Sequence, residues 1–232
     1  MDIIAANLQA VLRRIARAAA AAGRAPDDVA LVAVSKTFPA AMVAEAHACG
    51  QRSFGENQAQ EGVKKATELA HLDILWHFIG PIQSNKTRPV AERFQCVHGV
   101  DRERIAERLN EARPAGLPPL DVCIQVNVSG EASKAGVAPG GEVALAEAIS
   151  RLPRLRLRGL MAIPAPTTDP ASRRRQFARL RELKDGLNAR GYALDTLSMG
   201  MSDDLEAAIL EGATMVRVGT AIFGSRKYRL ET

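Results

Sequence analysis

The sequence predicts a single α/β domain, a (β/α)8 barrel of the TIM type with an extra helix at its N-terminus. Three observations support this fold class: eight short apolar runs, helical patterns between them, and a length of 232 residues, which suits one α/β barrel. Alternation of strand and helix favours a parallel sheet, and eight units is the number that closes such a barrel. An open, doubly wound sheet is the competing fold. We expect residues 1–232 to form one domain.

The predicted strands are apolar runs bounded by turn residues. Several of these runs are apolar on both faces, as burial of a parallel sheet by surrounding helices requires. The runs are Val29–Ser35, Arg52–Gly55, Ile74–Ile79, Gln95–Val100, Asp121–Val128, Leu155–Ala162, Leu194–Met199 and Thr214–Val218.

The segments between these runs carry aliphatic residues at helical spacing. Helices are predicted over Ala40–Cys49, Gln58–Leu69, Arg102–Ala112, Glu142–Leu152, Ser172–Asn188 and Leu205–Glu211. At the N-terminus a further helical stripe contains Ile4, Leu8, Val11, Leu12 and Ile15. We interpret that stripe as a packed helix and not as a secretory signal.

The charge of the chain is basic, with 31 lysines and arginines against 26 aspartates and glutamates and a net charge of +5. Arginine clusters at two places, Arg151, Arg154, Arg156 and Arg158, and then Arg173, Arg174, Arg175, Arg179 and Arg181. Apolar residues at helical spacing interrupt the second cluster, which indicates a solvated helix face. Aromatic residues, on which bases would stack, make up only 4% of the chain. We therefore expect no nucleic-acid partner.

The cysteines Cys49, Cys96 and Cys123 are odd in number and far apart, which predicts neither a disulfide framework nor a zinc site. A reducing compartment, the cytoplasm, is the expected location. No apolar run is long enough for a membrane span, so we expect no membrane partner. Glycine-rich loops of the dinucleotide or nucleotide triphosphate type are also missing from the sequence.

Lys36 is the first candidate functional residue, because it closes the first apolar strand. The active face of such a barrel lies at the C-terminal ends of its strands. A lysine held there against apolar walls should have its ammonium form disfavoured, which leaves an amine suited to Schiff-base formation. An isolated lysine at a strand end would more simply extend its charge to solvent. The neighbours of Lys36 therefore decide its interpretation.

The loops after the seventh and eighth predicted strands form the second candidate, a phosphate site. Ser198, Gly200 and Ser202 lie where a strand passes into a helix, and Gly219 and Thr220 follow the last strand. Phosphate is recurrently bound by these two loops in barrels, through backbone amides and hydroxyl groups. Either motif alone could be an ordinary helix cap or turn. Their occurrence after this pair of strands favours phosphate binding.

Arg217 is the third candidate, two residues before Gly219 and therefore on the same side of its strand. Its guanidinium could face the pyridine nitrogen of a pyridoxal cofactor and keep that nitrogen unprotonated, which weakens the ring as an electron sink. An amine-bearing lysine, a phosphate site and this arginine together predict pyridoxal 5′-phosphate (PLP) as cofactor. A structural arginine paired with a carboxylate is the alternative, and a Schiff-base aldolase would use Lys36 without a cofactor.

Further candidates follow other predicted strands. Asn57 and His77 could hydrogen-bond near the cofactor ring, and a structural role for His77 is an equal alternative. Met161 could pack beneath the ring or fill the core. The other histidines show no spacing that would form a metal site with His77, so no metal site is predicted. Asn127 also follows a strand, and Lys134 lies in a loop that could close over the mouth of the barrel or simply be solvated.

These motifs resemble those of the pyridoxal phosphate homeostasis protein family over nearly the whole chain. The residues that carry the resemblance are Val34-Ser35-Lys36-Thr37, Phe54-Gly55-Glu56-Asn57, Trp76-His77-Phe78-Ile79-Gly80, Gln83-Ser84-Asn85-Lys86, Gly159-Leu160-Met161-Ala162, Ser198-Met199-Gly200-Met201-Ser202-Asp203-Asp204 and Arg217-Val218-Gly219-Thr220-Ala221-Ile222-Phe223-Gly224. One departure is Gln58, where relatives often have an aromatic residue, and it affects the rim of the pocket.

The resemblance implies a barrel like the N-terminal domain of alanine racemase, with Lys36 as the Schiff-base lysine. It also implies that the serine loop and Gly219-Thr220 hold the phosphate and that Arg217 faces the pyridine nitrogen. The family has no firmly established catalytic reaction and is associated with the intracellular balance of vitamin B6 forms and of amino and keto acids.

A carrier is favoured over a racemase by the shortage of a second base. Racemisation on this barrel needs bases on both faces of the cofactor, one of them customarily a tyrosine from a second domain. The only tyrosines, Tyr192 and Tyr228, are not obvious candidates. We therefore expect an open pocket that exchanges PLP with other amines or with apo PLP-dependent enzymes, and a monomer rather than a dimer. A racemase-like enzyme and a basic interaction protein remain the alternatives.

Overall fold

The computed structural model describes residues 3–131 and 133–225. Eight strands are present within these residues, each near a predicted apolar run. They are β1 (Ala30–Val34), β2 (Ser53–Glu56), β3 (Leu75–Phe78), β4 (Cys96–Val100), β5 (Leu120–Gln125), β6 (Leu155–Met161), β7 (Thr196–Ser198) and β8 (Met215–Val218).

Helices separate the strands and surround them. They are α1 (Ile3–Ala21), α2 (Ala40–Ala48), α3 (Ala59–Glu68), α4 (Thr87–Arg93), α5 (Glu103–Ala112), α6 (Gly141–Ser150), α7 (Pro170–Asn188), α8 (Leu205–Leu210) and α9 (Thr220–Phe223). Short 3-10 turns at Pro26–Asp28 and Ser84–Lys86 complete the regular structure of the described residues.

The sheet is a closed barrel in which every strand is parallel to its neighbour and the strand order follows the sequence. The closure joins β8 to β1, with Ala30 opposite Met215 and Val32 opposite Arg217. The predicted (β/α)8 barrel is confirmed, and the open doubly wound alternative is wrong, because an open sheet would leave β1 and β8 unpaired at its edges.

The barrel separates two kinds of buried residue. Side chains that point outward from the strands, such as Phe54 and Trp76, join the helices in one apolar cluster. The barrel interior differs, since buried residues outside that cluster include His77, His98 and Arg217. Because branched aliphatic residues usually fill such barrels, these buried polar side chains indicate a functional region inside the barrel.

The predicted N-terminal helix is confirmed as α1, and it packs with Ile4, Leu8, Val11 and Ile15 buried. Leu12, expected on the same stripe, is exposed instead. The helix also bonds to the C-terminal end of the barrel. Arg14 donates to the carbonyl of Ser202 (2.9 Å), and Asn7 donates to the carbonyl of Ile222 (3.0 Å).

Sequence patterns missed α4 and α9 and extended several strands too far. The α4 helix was missed because it contains Pro89, and proline within a segment normally argues against a helix. Proline is tolerated in a first helical turn, because the amide there needs no helical partner. The fifth predicted strand reaches Val128, whereas β5 ends at Gln125, because the amide of Asn127 bonds to the loop residue Val137 (2.9 Å). The chain leaves the barrel at that point.

The arginines of α7 are largely paired. Arg174 and Arg181 both bond to the buried Glu211 at 2.6 Å, which ties α7 to the end of α8. Among the described residues, no helix has both the length and the apolar character that crossing a membrane requires.

Candidate functional site

A cavity of about 280 Å³ lies at the C-terminal ends of the strands. Its size is close to the lower end of typical small-molecule sites. The lining combines apolar walls with a few polar groups and consists of Val34, Lys36, Phe38, Asn57, Ile79, Gly80, Pro81, Ile163, Met201, Ser202, Asp203, Arg217, Gly219 and Thr220.

Lys36 reaches this cavity from the end of β1. It lies in a four-residue turn, in which the amide of Phe38 donates to the carbonyl of Ser35 (3.0 Å). The ring of Phe38 packs against Phe223 with centroids 5.2 Å apart. The lysine is half-buried, and it lines the same cavity as Phe38. It therefore borders a space that is partly shielded from water.

A buried ionic cluster lies behind the Lys36 turn. Lys65 on α3 donates from Nζ to Glu56, to Glu61 and to the carbonyl of Ser35, each at 2.7 Å. The Ser35 hydroxyl also donates to Glu56 (2.7 Å). Glu56 is completely buried, and burial raises the pKa of its carboxyl group, an effect that Lys65 opposes.

Arg217 lines the cavity, and two hydrogen bonds from its guanidinium group hold its side chain in place. Nη1 donates to the hydroxyl of Ser198 (2.6 Å), and Nη2 donates to the carbonyl of Ala162 (2.9 Å). The residue is only 3% exposed. Burial lowers the pKa of Arg217 to about 10, against the opposing effect of Asp204. The guanidinium therefore stays charged at neutral pH.

A chain of hydrogen bonds, the relay, joins Arg217, Ser198, His98 and His77 in that order inside the barrel. His98 Nδ1 lies 2.7 Å from the Ser198 hydroxyl, and His98 Nε2 lies 3.0 Å from His77 Nδ1. Arg217 can only donate, so the Ser198 hydroxyl accepts from it and is free to donate its own proton to His98 Nδ1. His98 then carries its proton on Nε2 and donates it to His77 Nδ1. The Nε2 atom of His77 then carries a proton, and it has no partner within the described residues.

Both imidazoles of this relay are neutral at physiological pH. Burial lowers the pKa of His77 from 6.5 to about 4. The pKa of His98 is also lowered, first by burial and then by the neighbouring His77 and Arg217. Burial disfavours the charged form of both rings, and it is the first cause of both shifts. Repulsion from Arg217 adds to the lowering of the pKa of His98 only.

The same region brings together a set of metal-ligating side chains, His77, Cys96 and His98, whose ligand atoms lie within 4.8 Å of one another. Sequence spacing missed this cluster because its members come from neighbouring strands. Its imidazole nitrogens already face each other along a hydrogen bond. The Cys96 thiol is hydrogen-bonded to Cys123, and this contact raises the pKa of Cys96. Hydrogen bonds inside the barrel therefore explain why these three side chains lie close together.

The loop after β7 contributes Met201, Ser202 and Asp203 to the cavity. The Met201 amide is already used, since it donates to the Asp204 carboxylate (2.5 Å). The amides of Ser202 and Asp203 make no hydrogen bond to any described residue, and they remain available to an anion. Gly200, at a φ of +93°, forms the turn, and a Cβ there would lie 2.6 Å from Ala208.

The comparison with known proteins decides the family. A pyridoxal phosphate homeostasis protein of Pseudomonas aeruginosa is 66% identical over 228 residues, which is 98% of each chain. The chain belongs to the pyridoxal phosphate homeostasis protein family. The protein of the same description from Escherichia coli K12 is 54% identical, over 98% of this chain and 99% of its own. Residues 6–227 also match the family model of the alanine racemase N-terminal domain.

Among solved structures, the chain is similar to PipY of Synechococcus elongatus PCC7942, which has been solved with PLP bound. That similarity has a TM-score of 0.82 and 40% sequence identity, and it covers 95% of this chain and all of PipY. The resemblance to the pyridoxal phosphate homeostasis protein family that the motifs indicated is thereby confirmed.

The structure brings six of the ten predicted site residues of this family member to the cavity: Lys36, Asn57, Ser202, Arg217, Gly219 and Thr220. The other four lie outside its lining. His77 and Ser198 belong to the relay beneath Arg217, Met161 is buried in the barrel, and Gly200 shapes the loop after β7. Gly219 also packs closely on β1, because a Cβ there would lie 3.0 Å from the carbonyl of Val34.

Two loop residues singled out in the sequence have local roles. Asn127 donates to the carbonyl of Glu131 (2.8 Å) and accepts from the amide of Gly130 (3.1 Å), which shapes the loop after β5. Lys134 donates to the carbonyl of Pro164 (2.9 Å) and joins that loop to the one after β6. Neither residue lines the cavity. Tyr228 lies outside the described residues.

Sequence reasoning missed the apolar walls, which are Phe38, Ile79, Pro81, Ile163 and Met201. Phe38, two residues after Lys36, could have been found from its position beside a strand end. The walls complete a site that fits PLP: an amine at one side, a buried cation, hydroxyl groups with unpaired amides, and apolar surfaces against which a ring can pack.

Proposed function

We propose that this chain holds PLP as a Schiff base on Lys36 and serves cytoplasmic vitamin B6 homeostasis as a cofactor carrier. In this proposal residues 1–232 form one PLP-binding domain. The observation that carries the proposal is the meeting of Lys36, Arg217 and the loops after β7 and β8 in one cavity. The names of the two bacterial relatives and the PLP-bound structure of PipY support it.

Lys36 supplies the covalent link. Its amine condenses with the cofactor aldehyde, a C=N bond forms between Nζ and the aldehyde carbon, and the aldehyde oxygen leaves as water. The apolar walls reduce the water available to reverse this step. When bound, PLP supplies a conjugated ring that can accept electron density from an attached amine.

The remaining cavity residues hold the rest of the cofactor. The hydroxyls of Ser202 and Thr220, with the amides of Ser202 and Asp203 and the backbone at Gly219, bind the phosphate. Gly200 supports this binding by forming the turn from which the amides of Ser202 and Asp203 follow. Arg217 faces the pyridine nitrogen, and its permanent charge keeps that nitrogen unprotonated, which restrains carbanion chemistry.

Residues below and beside the cavity support this arrangement. Ser198 and His77 act through the relay that holds Arg217, and Asn57 bonds near the ring. Met161 fills the barrel beneath. Asp203 also lines the cavity, and its negative charge should direct the dianion toward the hydroxyls of Ser202 and Thr220.

A carrier is favoured over a racemase-like enzyme by the composition of the cavity. Its lining in the described part of the chain includes no tyrosine that could act as a second base. Tyr192 precedes β7 and therefore lies toward the opposite end of the barrel from the cavity. We infer that the cofactor exchanges with free amines or with apo PLP-dependent enzymes, and that the protein acts as a monomer without a nucleic-acid or membrane partner.

Absorbance spectroscopy tests the proposal. The purified protein with added PLP should show a visible Schiff-base band, which Lys36→Ala abolishes. Lys86→Ala is a matched control, because this lysine lines a neighbouring cavity that shares Asn57 with the first. An unchanged band in Lys36→Ala, or no band in the wild type, would contradict the proposal. Racemisation of amino acids at rates of metabolic enzymes would favour the enzyme alternative.

A further inference from the structure

The turn that carries Lys36 is strained at its next residue. Thr37 has a φ of +70°, and it is the one non-glycine residue with positive φ in the described chain. It occupies the third position of the turn Ser35–Phe38, where a positive φ normally selects glycine. A β-branched residue in this conformation persists only when its surroundings enforce it.

The surroundings act on both sides of Lys36. On the preceding side, the carbonyl of Ser35 accepts from Lys65 Nζ (2.7 Å). On the following side, the amide of Thr37 donates to Glu61 Oε1 (2.6 Å). Both peptide units that flank Lys36 are thus bonded to side chains of α3, a helix whose position the barrel wall fixes.

The charges of these side chains are interlocked. Lys65 bridges Glu56 and Glu61 at 2.7 Å each, and the side chains of Glu56 and Lys65 are 0% and 6% exposed. All three N–H groups of the Lys65 ammonium are used, by two carboxylates and one carbonyl. A single side-chain movement would leave a buried charge without its partner, so the group is rigid. The same bonds keep Lys65 in the cluster behind the turn, whereas Lys36 lines the cavity.

We propose that Glu56, Glu61 and Lys65 form a clamp that positions Lys36 for Schiff-base formation by enforcing the strained turn at Thr37. The clamp residues touch neither the cavity nor the cofactor, so they are positioning residues. The inference rests on the proposed function. It adds that the lysine's reactivity depends on an ionic cluster on the outer side of the barrel wall.

The test compares clamp variants with exposed neighbours on the same helix. Glu61→Ala removes the acceptor of the Thr37 amide, and we expect the apparent dissociation constant of PLP to rise about tenfold, the effect of losing one charge-assisted hydrogen bond. Glu61→Gln keeps an acceptor oxygen, and the increase should be about threefold or less. Glu68→Ala and Lys64→Met are the matched controls, because both residues are exposed on α3, and they should bind PLP like the wild type.

Rescue separates positioning from a general loss of stability. Glycine adopts positive φ without steric penalty, so adding Thr37→Gly to Glu61→Ala should restore most of the PLP affinity without restoring the ion pair. Hydrogen exchange provides a readout independent of the cofactor. The Thr37 amide should be protected in the wild type and in Glu61→Gln, and it should exchange faster in Glu61→Ala.

The outcomes are distinct. Wild-type affinity in Glu61→Ala, or no rescue by Thr37→Gly, overturns the clamp while leaving the Schiff base on Lys36 intact. If the wild type itself forms no adduct with PLP, the proposed function fails and the clamp's role in Schiff-base formation fails with it. Faster exchange at Thr37, weaker binding and rescue together support the clamp.

Discussion

Replacing Ser198 by alanine should strongly destabilise the fold, although the change removes a single oxygen atom. The Ser198 hydroxyl accepts from Arg217 at 2.6 Å and bonds to His98 at 2.7 Å. Ser198 and His98 are completely buried, and Arg217 is 3% exposed. A buried polar group without a partner costs about 1–3 kcal/mol, and Ser198→Ala leaves two such groups. We expect the free energy of unfolding to fall by about 3 kcal/mol, a large part of a typical total of about 5–15 kcal/mol.

Urea unfolding at pH 7.5 measures this effect. The fluorescence of Trp76, the single tryptophan, follows the transition, since this residue is 4% exposed in the native state. Ser150→Ala is the control. Its hydroxyl is exposed and bonds only within its own helix (2.7 Å to the Glu147 carbonyl), so we expect a loss below about 0.5 kcal/mol. An equally small loss in Ser198→Ala would refute the assignment of the relay.

Three other predictions follow from the same structure. The pKa of His77 is about 4 in the folded protein and 6.5 ordinarily, so on acidification the unfolded chain binds a proton at this histidine before the folded protein does. The free energy of unfolding should therefore fall by about 3 kcal/mol from this group between pH 7 and 4. A free energy of unfolding, measured by urea titration, that stays constant from pH 7 to 5 would contradict this prediction. Gly219→Ala should place a methyl group 3.0 Å from the Val34 carbonyl oxygen. This contact should weaken PLP binding and lower the free energy of unfolding by about 1–3 kcal/mol. An unchanged melting temperature and an unchanged PLP affinity would count against the close packing. Arg14→Ala removes a half-exposed ion pair with Glu206 and a hydrogen bond to the Ser202 carbonyl. It should lower the free energy of unfolding by less than about 1 kcal/mol but speed PLP release in a stopped-flow assay. Equal release rates in the variant and the wild type would show that α1 does not hold the loop after β7.

The architecture was predictable because each strand is a short apolar run between turn residues. The strand ends then located Lys36 and Arg217, since the C-terminal ends of parallel strands meet at one face of a barrel. The boundaries were less accurate. The predicted strand Asp121–Val128 is too long at its end. The amide of Val126 still bonds to Met161 of β6, whereas the amide of Asn127 bonds to the loop residue Val137, and nothing in the apolar pattern shows this change of partner.

The relay and the clamp were not predictable from the sequence. His98 and Ser198 are separated by 100 positions, and Ser35 and Glu56 by 21. Such pairs follow from which faces of the strands point inward or toward α3, and this depends on the register of the closed sheet. The positive φ of Thr37 leaves no compositional signal either, because the residue that normally marks it, glycine, is missing.

The identity of the lysine that carries the cofactor can be measured after borohydride reduction of the PLP-loaded protein. Intact-mass analysis followed by peptide mapping should find one phosphopyridoxyl group per chain, located on Lys36. Lys65 should remain unmodified, because its three donors are engaged. A group on Lys65 or on any other lysine, or no adduct at all, would contradict the account.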